Sequence, residues 1–179
     1  MAKYQGKGRS NSRRARRGLT LGMSIAGVIV VAAAIGWFAY RASADLPGEK
    51  FADLGNEHIQ AASDPHTPYN SEPPTSGPHL PYIAPWGIHT RPIPNELQVH
   101  NLEDGGVMVQ YNCECPELVD KLRAIVRKYD KQVILAPYPT MKSRLSLTAW
   151  TRQDKFDEFD ERRIVRFIDA YRGIDHHKR

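Results

Sequence analysis

Between Arg17 and Arg41 run 23 consecutive residues without a charged side chain, and seven cations stand just before them. A chain with such a run must bury it on every side or place it in lipid. As a helix, the stretch from Leu19 to Tyr40 has about 22 residues rising about 1.5 Å each, so it spans about 33 Å, close to a bilayer's apolar thickness. No face of it is polar, and Trp37 and Tyr40 stand at one end as interfacial anchors. The cations precede the span, so the positive-inside rule predicts a cytoplasmic N-terminus and everything beyond the span outside the cytoplasm. The expected organisation is a basic cytoplasmic tail (1–18), one transmembrane helix (19–40), a linker (41–49), an extracytoplasmic domain (50–173) and a C-terminal tail (174–179). A cleaved signal peptide is the rival, because Ala42-Ser43-Ala44 has the small-x-small form of a cleavage site. Against it, the apolar run exceeds the usual signal length of about 7–15 residues. The expected address is the cell membrane, with the lipid bilayer and other membrane proteins as partners.

The charge distribution excludes one class of function. Eight of the 25 basic residues precede Asp45 and all 20 acids lie from Asp45 onward, leaving 17 cations against 20 anions in the body. The high isoelectric point therefore belongs to the tail, which would be drawn to anionic headgroups. Its only aromatic residue is Tyr4, so nucleic acid is not an expected partner.

Ten of the 13 prolines fall between Pro47 and Pro94. Fixed φ and missing donors predict a loop-rich wrap there, and Tyr69, Tyr82 and Trp86 give it something to bury. A short helix is expected before it, around Lys50 to Gln60. After Asn95 the pattern becomes regular. Gly106–Tyr111 reads as a strand. Pro116 opens a helix with Leu118, Val119, Leu122, Ile125 and Val126 on one face. Gln132–Ala136 and Arg144–Trp150 read as further strands, and Asp160 opens a last helix carrying Ile164, Phe167 and Ile168 and ending near Gly173. The expected fold class is α+β: a small β-α-β-β-α layer domain behind a proline-rich N-terminal wrap and one transmembrane helix.

Five of the seven histidines (His58, His66, His79, His89, His100) lie within 43 positions, with Cys113 and Cys115 close behind. Imidazole and thiolate are ligands that copper and zinc favour. No two of these histidines stand at i, i+3 or i+4, so only tertiary folding would assemble a site. His176 and His177 read as surface residues of the tail. Cys113 and Cys115 fall at a strand end and a helix start, where amides and the helix dipole stabilise a thiolate. That placement is similar to the redox edge of a thioredoxin-like unit, although the usual spacing there is Cys-x-x-Cys. A structural disulfide, a pair of soft metal ligands and a redox pair are the open readings. No phosphate loop, nucleophile elbow or zinc-protease helix is present. Thr75-Ser76-Gly77 offers a hydroxyl near His79 and reads as a turn former.

Pro73-Pro-Thr-Ser-Gly-Pro-His79 and His100-Asn-Leu-Glu-Asp-Gly-Gly-Val107 resemble the two signature stretches of the bacterial domain-of-unknown-function family 3105. Gly55-Asn-Glu-His58, Tyr69, Leu147-Thr-Ala-Trp150 and the late Phe-Asp-x-x-x-Ile helix fit the same pattern. The resemblance runs from about Lys50 to Gly173 and implies a membrane-anchored, outward-facing domain of unassigned activity. In that family the second signature usually reads His-Asn-Leu-Glu-His-Gly-Gly, so Asp104 replaces a histidine here. Aspartate keeps an oxygen ligand at that position but disfavours Cu(I), and Glu103 beside it suits a base or supporting partner.

Three functions follow as expectations. The first is a membrane-tethered domain holding copper or zinc through His58, His79, His100 and Asp104. The second is a thiol-disulfide oxidoreductase using Cys113 and Cys115. The third is a metal-free accessory subunit of a larger membrane complex. No catalytic residue is assigned.

Overall fold

The computed structural model describes residues 28–37 and 46–177. Residues 28–37 are helical and all exposed, with Val28, Ile29, Val30, Val31, Ile35 and Trp37 presenting large apolar surfaces. Among the described residues, no helix is long and apolar enough to cross a membrane. The expected basic tail, the rest of the expected span, residues 41–45 of the linker and residues 178–179 lie outside the described residues.

Residues Pro47–Arg179 form a compact unit of their own. Its elements in chain order are β1 (Glu49–Lys50), β2 (Gly87–Ile88), α1 (Asn95–Glu103), β3 (Val107–Tyr111), α2 (Pro116–Val126), β4 (Val133–Pro137), β5 (Leu145–Ala149), β6 (Arg152–Phe156) and α3 (Glu161–Tyr171). The six strands make one mixed sheet in the order β1-β6-β5-β3-β4-β2. β3 pairs parallel with β4 through the α2 crossover, whereas β5 runs antiparallel to both β3 and β6. The expected α+β class and its β-α-β-β-α spine are present. The short strands β1, β2 and β6 and the helix α1 come in addition.

The helix expected over Lys50–Gln60 does not form. Gly55 sits at φ +83°, its N–H turned onto Asp53 Oδ1 at 2.9 Å. Backbone groups downstream look across the molecule instead. Gly77 N donates to Gly55 O (3.0 Å), His79 N to Glu57 O (2.9 Å) and Ile59 N to His79 O (2.8 Å). His58 and His79 thereby become partners in a parallel bridge. The Gly55 and Glu57 carbonyls and the Ile59 amide are thereby spent on long-range pairing and not on i→i+4 bonds.

Side chains alternate across the sheet, as period-two geometry requires. Val107, Val109, Val133, Leu135, Leu145 and Leu147 face one core with Leu122, Ile125, Phe167 and Ile168 from α2 and α3. Met108, Ile134 and Ala136 face the other, closed by Val99 and Leu102 of α1 and by Ala84 and Ile93 of the wrap. Every residue from Pro73 to Leu80 is buried. Loops rarely run inside because their backbone groups need partners, and here the partners are present. Pro73 O takes Gln153 Nε2 (2.9 Å), Thr75 O takes Thr151 N (2.9 Å), Pro78 O takes the Tyr69 hydroxyl (2.6 Å), and Leu80 N donates to Glu96 O (2.9 Å). The Ser76 hydroxyl accepts from Leu54 N at 3.1 Å, which commits it to structure.

Candidate metal centre

The buried loop and α1 meet at the end of the sheet where the central strand β3 begins. Residues α1 supplies there include His100 and Glu103, three apart and so on neighbouring turns of one face. The helix ends in a Schellman motif. Gly105 N bonds Leu102 O (3.1 Å) and Gly106 N bonds Asn101 O (2.7 Å), with Gly105 at φ +75°. Gly106 is needed for space: a Cβ there would run into Asn101 O and the Trp86 ring. The two glycines turn the chain into β3 while leaving Glu103 and Asp104 at the cluster.

His58, His79, His100 and Glu103 each offer one ligand atom, and these four atoms lie within 4.8 Å of one another. His79 and Glu103 are fully buried and His100 is 9% exposed. His58, on the outside, stacks on His100 with ring centroids 5.3 Å apart and meets His79 edge-on at 5.0 Å. His79 and His100 also meet edge-on, at 5.0 Å. In a second trio, His100, Asp104 and His177, the ligand atoms likewise lie within 4.8 Å of one another. Three of the four ligands expected from sequence thus converge, with Glu103 as the carboxylate among them. Asp104 lies at the rim, its Oδ1 3.8 Å from His100 Nε2 and 3.7 Å from His177 Nε2. His66 and His89 point their ring nitrogens elsewhere, toward Thr67 O and Glu96 and toward Pro85 O respectively.

Hydrogen bonds fix the orientation of the two inner rings. His79 Nδ1 lies 2.8 Å from Gly77 O, and His100 Nδ1 lies 2.7 Å from Leu80 O. A carbonyl oxygen only accepts, so both Nδ1 atoms carry hydrogen, and Nε2 is the atom left to bind. A hydrogen bond to the other ring nitrogen is how proteins set the tautomer of a ligating imidazole. Burial pushes the His79 pKa below 6.5, against the upward pull of the Gly77 carbonyl and Glu103. His79 Nε2 lies 3.0 Å from Glu103 Oε2, close enough that a proton or a metal ion must lie between the two. The other carboxylate oxygen, Oε1, accepts from Asn56 Nδ2 at 2.5 Å. Two lone pairs that close repel unless positive charge lies between them, and burial magnifies the cost.

The C-terminal segment borders the site: His177 is exposed, as expected, whereas His176 is half-buried. Gly173 N donates to Gly105 O (2.8 Å) and His176 N to Glu103 O (2.9 Å), while the His176 ring stacks on Trp150 at 5.8 Å. Burial lowers the His176 pKa. His177 reaches Glu103 Oε2 with its Nε2 (3.4 Å), and its Nδ1 meets Asp175 Oδ1 at 2.7 Å, which raises its pKa. Sequence reasoning passed over His177 and Asn56, because only the long-range fold brings them in. Glu103 had a local signal, the His-x-x-Glu spacing of His100 and Glu103, readable once that stretch is known to be helical.

Cys113 and Cys115 are joined as a disulfide, with Cys115 the N-cap of α2. Of the three readings for the pair, free soft ligands is the one this bonded state does not supply. They line an open groove of about 610 Å³ with Tyr111, Val119, Pro137 and Pro139. In the chain-entropy account, closing a loop of three residues stabilises a fold by about 1.6 kcal/mol, against about 4.7 for one of 100. The bond ties together residues already neighbouring in sequence.

Fold and cluster together define the class: an α+β domain whose proline-rich loop is buried to build a three-imidazole, one-carboxylate cluster. The chain belongs to the family described as Protein of unknown function (DUF3105), whose model matches residues 60–178. No curated protein and no solved structure matches it.

Proposed function

We propose that this chain is a membrane-anchored domain facing out of the cytoplasm that holds one divalent transition metal, zinc or copper, through His58, His79, His100 and Glu103. One observation carries the reading: His79, its Nδ1 locked to a backbone carbonyl, sets its Nε2 3.0 Å from a buried carboxylate oxygen, where a proton or a metal ion must lie between them. A shared proton would satisfy that pair alone. It gives no reason for His100 to be locked in the same tautomer, or for His58 to stand against both rings. A tetrahedral zinc ion with bonds of about 2.0–2.1 Å sets its ligand atoms roughly 3.3 Å apart. The cluster therefore needs to contract modestly, and the exposed His58 ring is free of the core that would resist it. Three imidazoles and one carboxylate suit Zn(II) or Cu(II), while the absence of sulfur from the set disfavours Cu(I). Asp104 and His177 complete the rim.

The membrane part of the proposal rests on the uncharged run after seven cations and on a helix at 28–37 that exposes apolar side chains all round. The test for metal is elemental analysis and calorimetry on the purified full chain in detergent, stripped and then titrated with Zn(II) and Cu(II). The proposal expects one ion per chain, lost in His79→Ala and His100→Ala. No bound metal and no heat with either ion would end it.

A further inference from the structure

At the opposite end of β3 from the metal cluster stands a second chemically competent group that the proposed function leaves unused. β3 leaves Gly106 beside the cluster and delivers Tyr111 to the groove that holds Cys113 and Cys115. We propose that the Cys113–Cys115 disulfide is redox-active and oxidises dithiols of polypeptide segments that enter this groove.

Three features carry the assignment. The bond spans one residue, Glu114, so it cross-links no distant parts of the fold and is dispensable as a staple. Both cysteines are only partly buried and open onto the groove, so an incoming thiol can reach them. Cys115 occupies the N-cap of an eleven-residue helix, and its side chain accepts no capping hydrogen bond. Pro116 at the first helical position has no N–H, and the first intrahelical bond runs from Val119 N to Cys115 O. The amides of Glu117 and Leu118 therefore have no partner one turn back within the helix. A sulfur released at Cys115 as thiolate would take up those donors and gain the helix dipole.

The reaction is two successive thiol–disulfide exchanges that balance without a further oxidant. A substrate thiolate attacks Cys113 Sγ and breaks the bond to Cys115 Sγ, which leaves as the thiolate stabilised at the helix end. The substrate's second thiolate then attacks its own sulfur in the mixed disulfide and releases Cys113. Two electrons pass from the substrate dithiol to the protein disulfide, and the two thiol protons reach Cys113 and Cys115 through solvent. The groove sets Tyr111, Val119, Pro137 and Pro139 beside Asn112 and Arg123, so it offers both apolar contact and hydrogen-bonding groups to a peptide segment.

The experiment mixes full-length chain in detergent with a two-cysteine peptide, anaerobically and with excess chelator so that neither oxygen nor metal oxidises the thiols. The expected result is one equivalent of peptide disulfide per chain, formed at least about tenfold faster than with oxidised glutathione at the same concentration. Cys113→Ser and Cys115→Ser should form none, and the reduced chain should still melt cooperatively. A peptide that stays reduced overturns the proposal. So does a bridge whose reduction abolishes cooperative melting, because that result assigns the bond to structure.

Discussion

Glu103 is fully buried, and among the described residues its ion-pair partners are all histidines: His58, His79 and His177. Two substitutions at this pair separate its charge from its ligand role. In the chelator-treated chain a proton shared with His79 takes the metal's place beside Glu103, so His79→Ala leaves that buried carboxylate without it and should cost about 3–5 kcal/mol of stability as well as the metal. Glu103→Gln keeps an oxygen for Asn56 and should cost the metal-free fold about 1 kcal/mol while still abolishing metal. Thermal melts in chelator, read beside metal content, distinguish the two. Asp104→His puts a third type of outcome within reach. An added imidazole at the rim, near His100 and His177, should raise affinity for zinc and copper in a competition assay. Acid releases such metals by protonating their ligands. Because burial holds His79 below 6.5, the form of it that binds persists into more acid solution than an exposed histidine's would. Release on acidification should accordingly have its midpoint below pH 6.5, and a midpoint above that value would contradict the part given to His79.

The elements differ in how far the sequence discloses them. α2 and α3 each carry an apolar stripe, and the stripe's residues Leu122 and Phe167 are fully buried. Replacing either by Asp puts an uncompensated charge in the core, costs several kcal/mol and should abolish cooperative unfolding in a denaturant titration. α1 has no such stripe. It buries Gln98, His100, Asn101 and Glu103 as thoroughly as Val99 and Leu102, since one side lies on the sheet and the rest is walled in by the wrap. Periodicity reports partition between oil and water, so a helix whose polar side chains are satisfied inside leaves no periodic trace. Gln98, for example, accepts from Gln110 at 2.7 Å and donates to Asn95 at 2.8 Å. Hence His79 and His100 were visible as candidates while their meeting with Glu103 was not. The Lys50–Gln60 segment failed in the other direction, its local propensity overridden by pairing with Gly77 and His79. The turn after α1 yields a further test. Gly106→Ala would drive a methyl into Asn101 O and Trp86, and should cost more than 2 kcal/mol and weaken metal binding. Gly55→Ala meets nothing within 4 Å and should cost only the left-handed backbone penalty, about 1–2 kcal/mol.

At the scale of the whole molecule, the proposal joins an apolar anchor, an outward metal cluster and a separate disulfide groove at the far end of the central strand. A reporter fused after Arg179 should be active only outside the cytoplasm, and activity of a cytoplasm-restricted reporter at that position would reverse the topology. The two chemical sites should be separable: His79→Ala should lose metal and keep Cys113–Cys115 bonded, and Cys113→Ser should keep its metal. Both outcomes follow from β3 delivering the clusters to opposite ends of itself. The buried loop from Pro73 to Leu80 explains why so much proline lies ahead of the sheet: fixed φ lowers the freedom lost in ordering it, and its carbonyls set both inner imidazoles. The central claim is that the metal sits among imidazoles and a carboxylate, with no part for the cysteines. X-ray absorption at the zinc edge of the zinc-loaded full chain tests it most directly. The account predicts a four-coordinate nitrogen and oxygen shell at about 2.0–2.1 Å with the scattering signature of imidazole, reduced in His79→Ala. Sulfur in the first shell at about 2.3 Å, or a shell unchanged by His79→Ala, would contradict it.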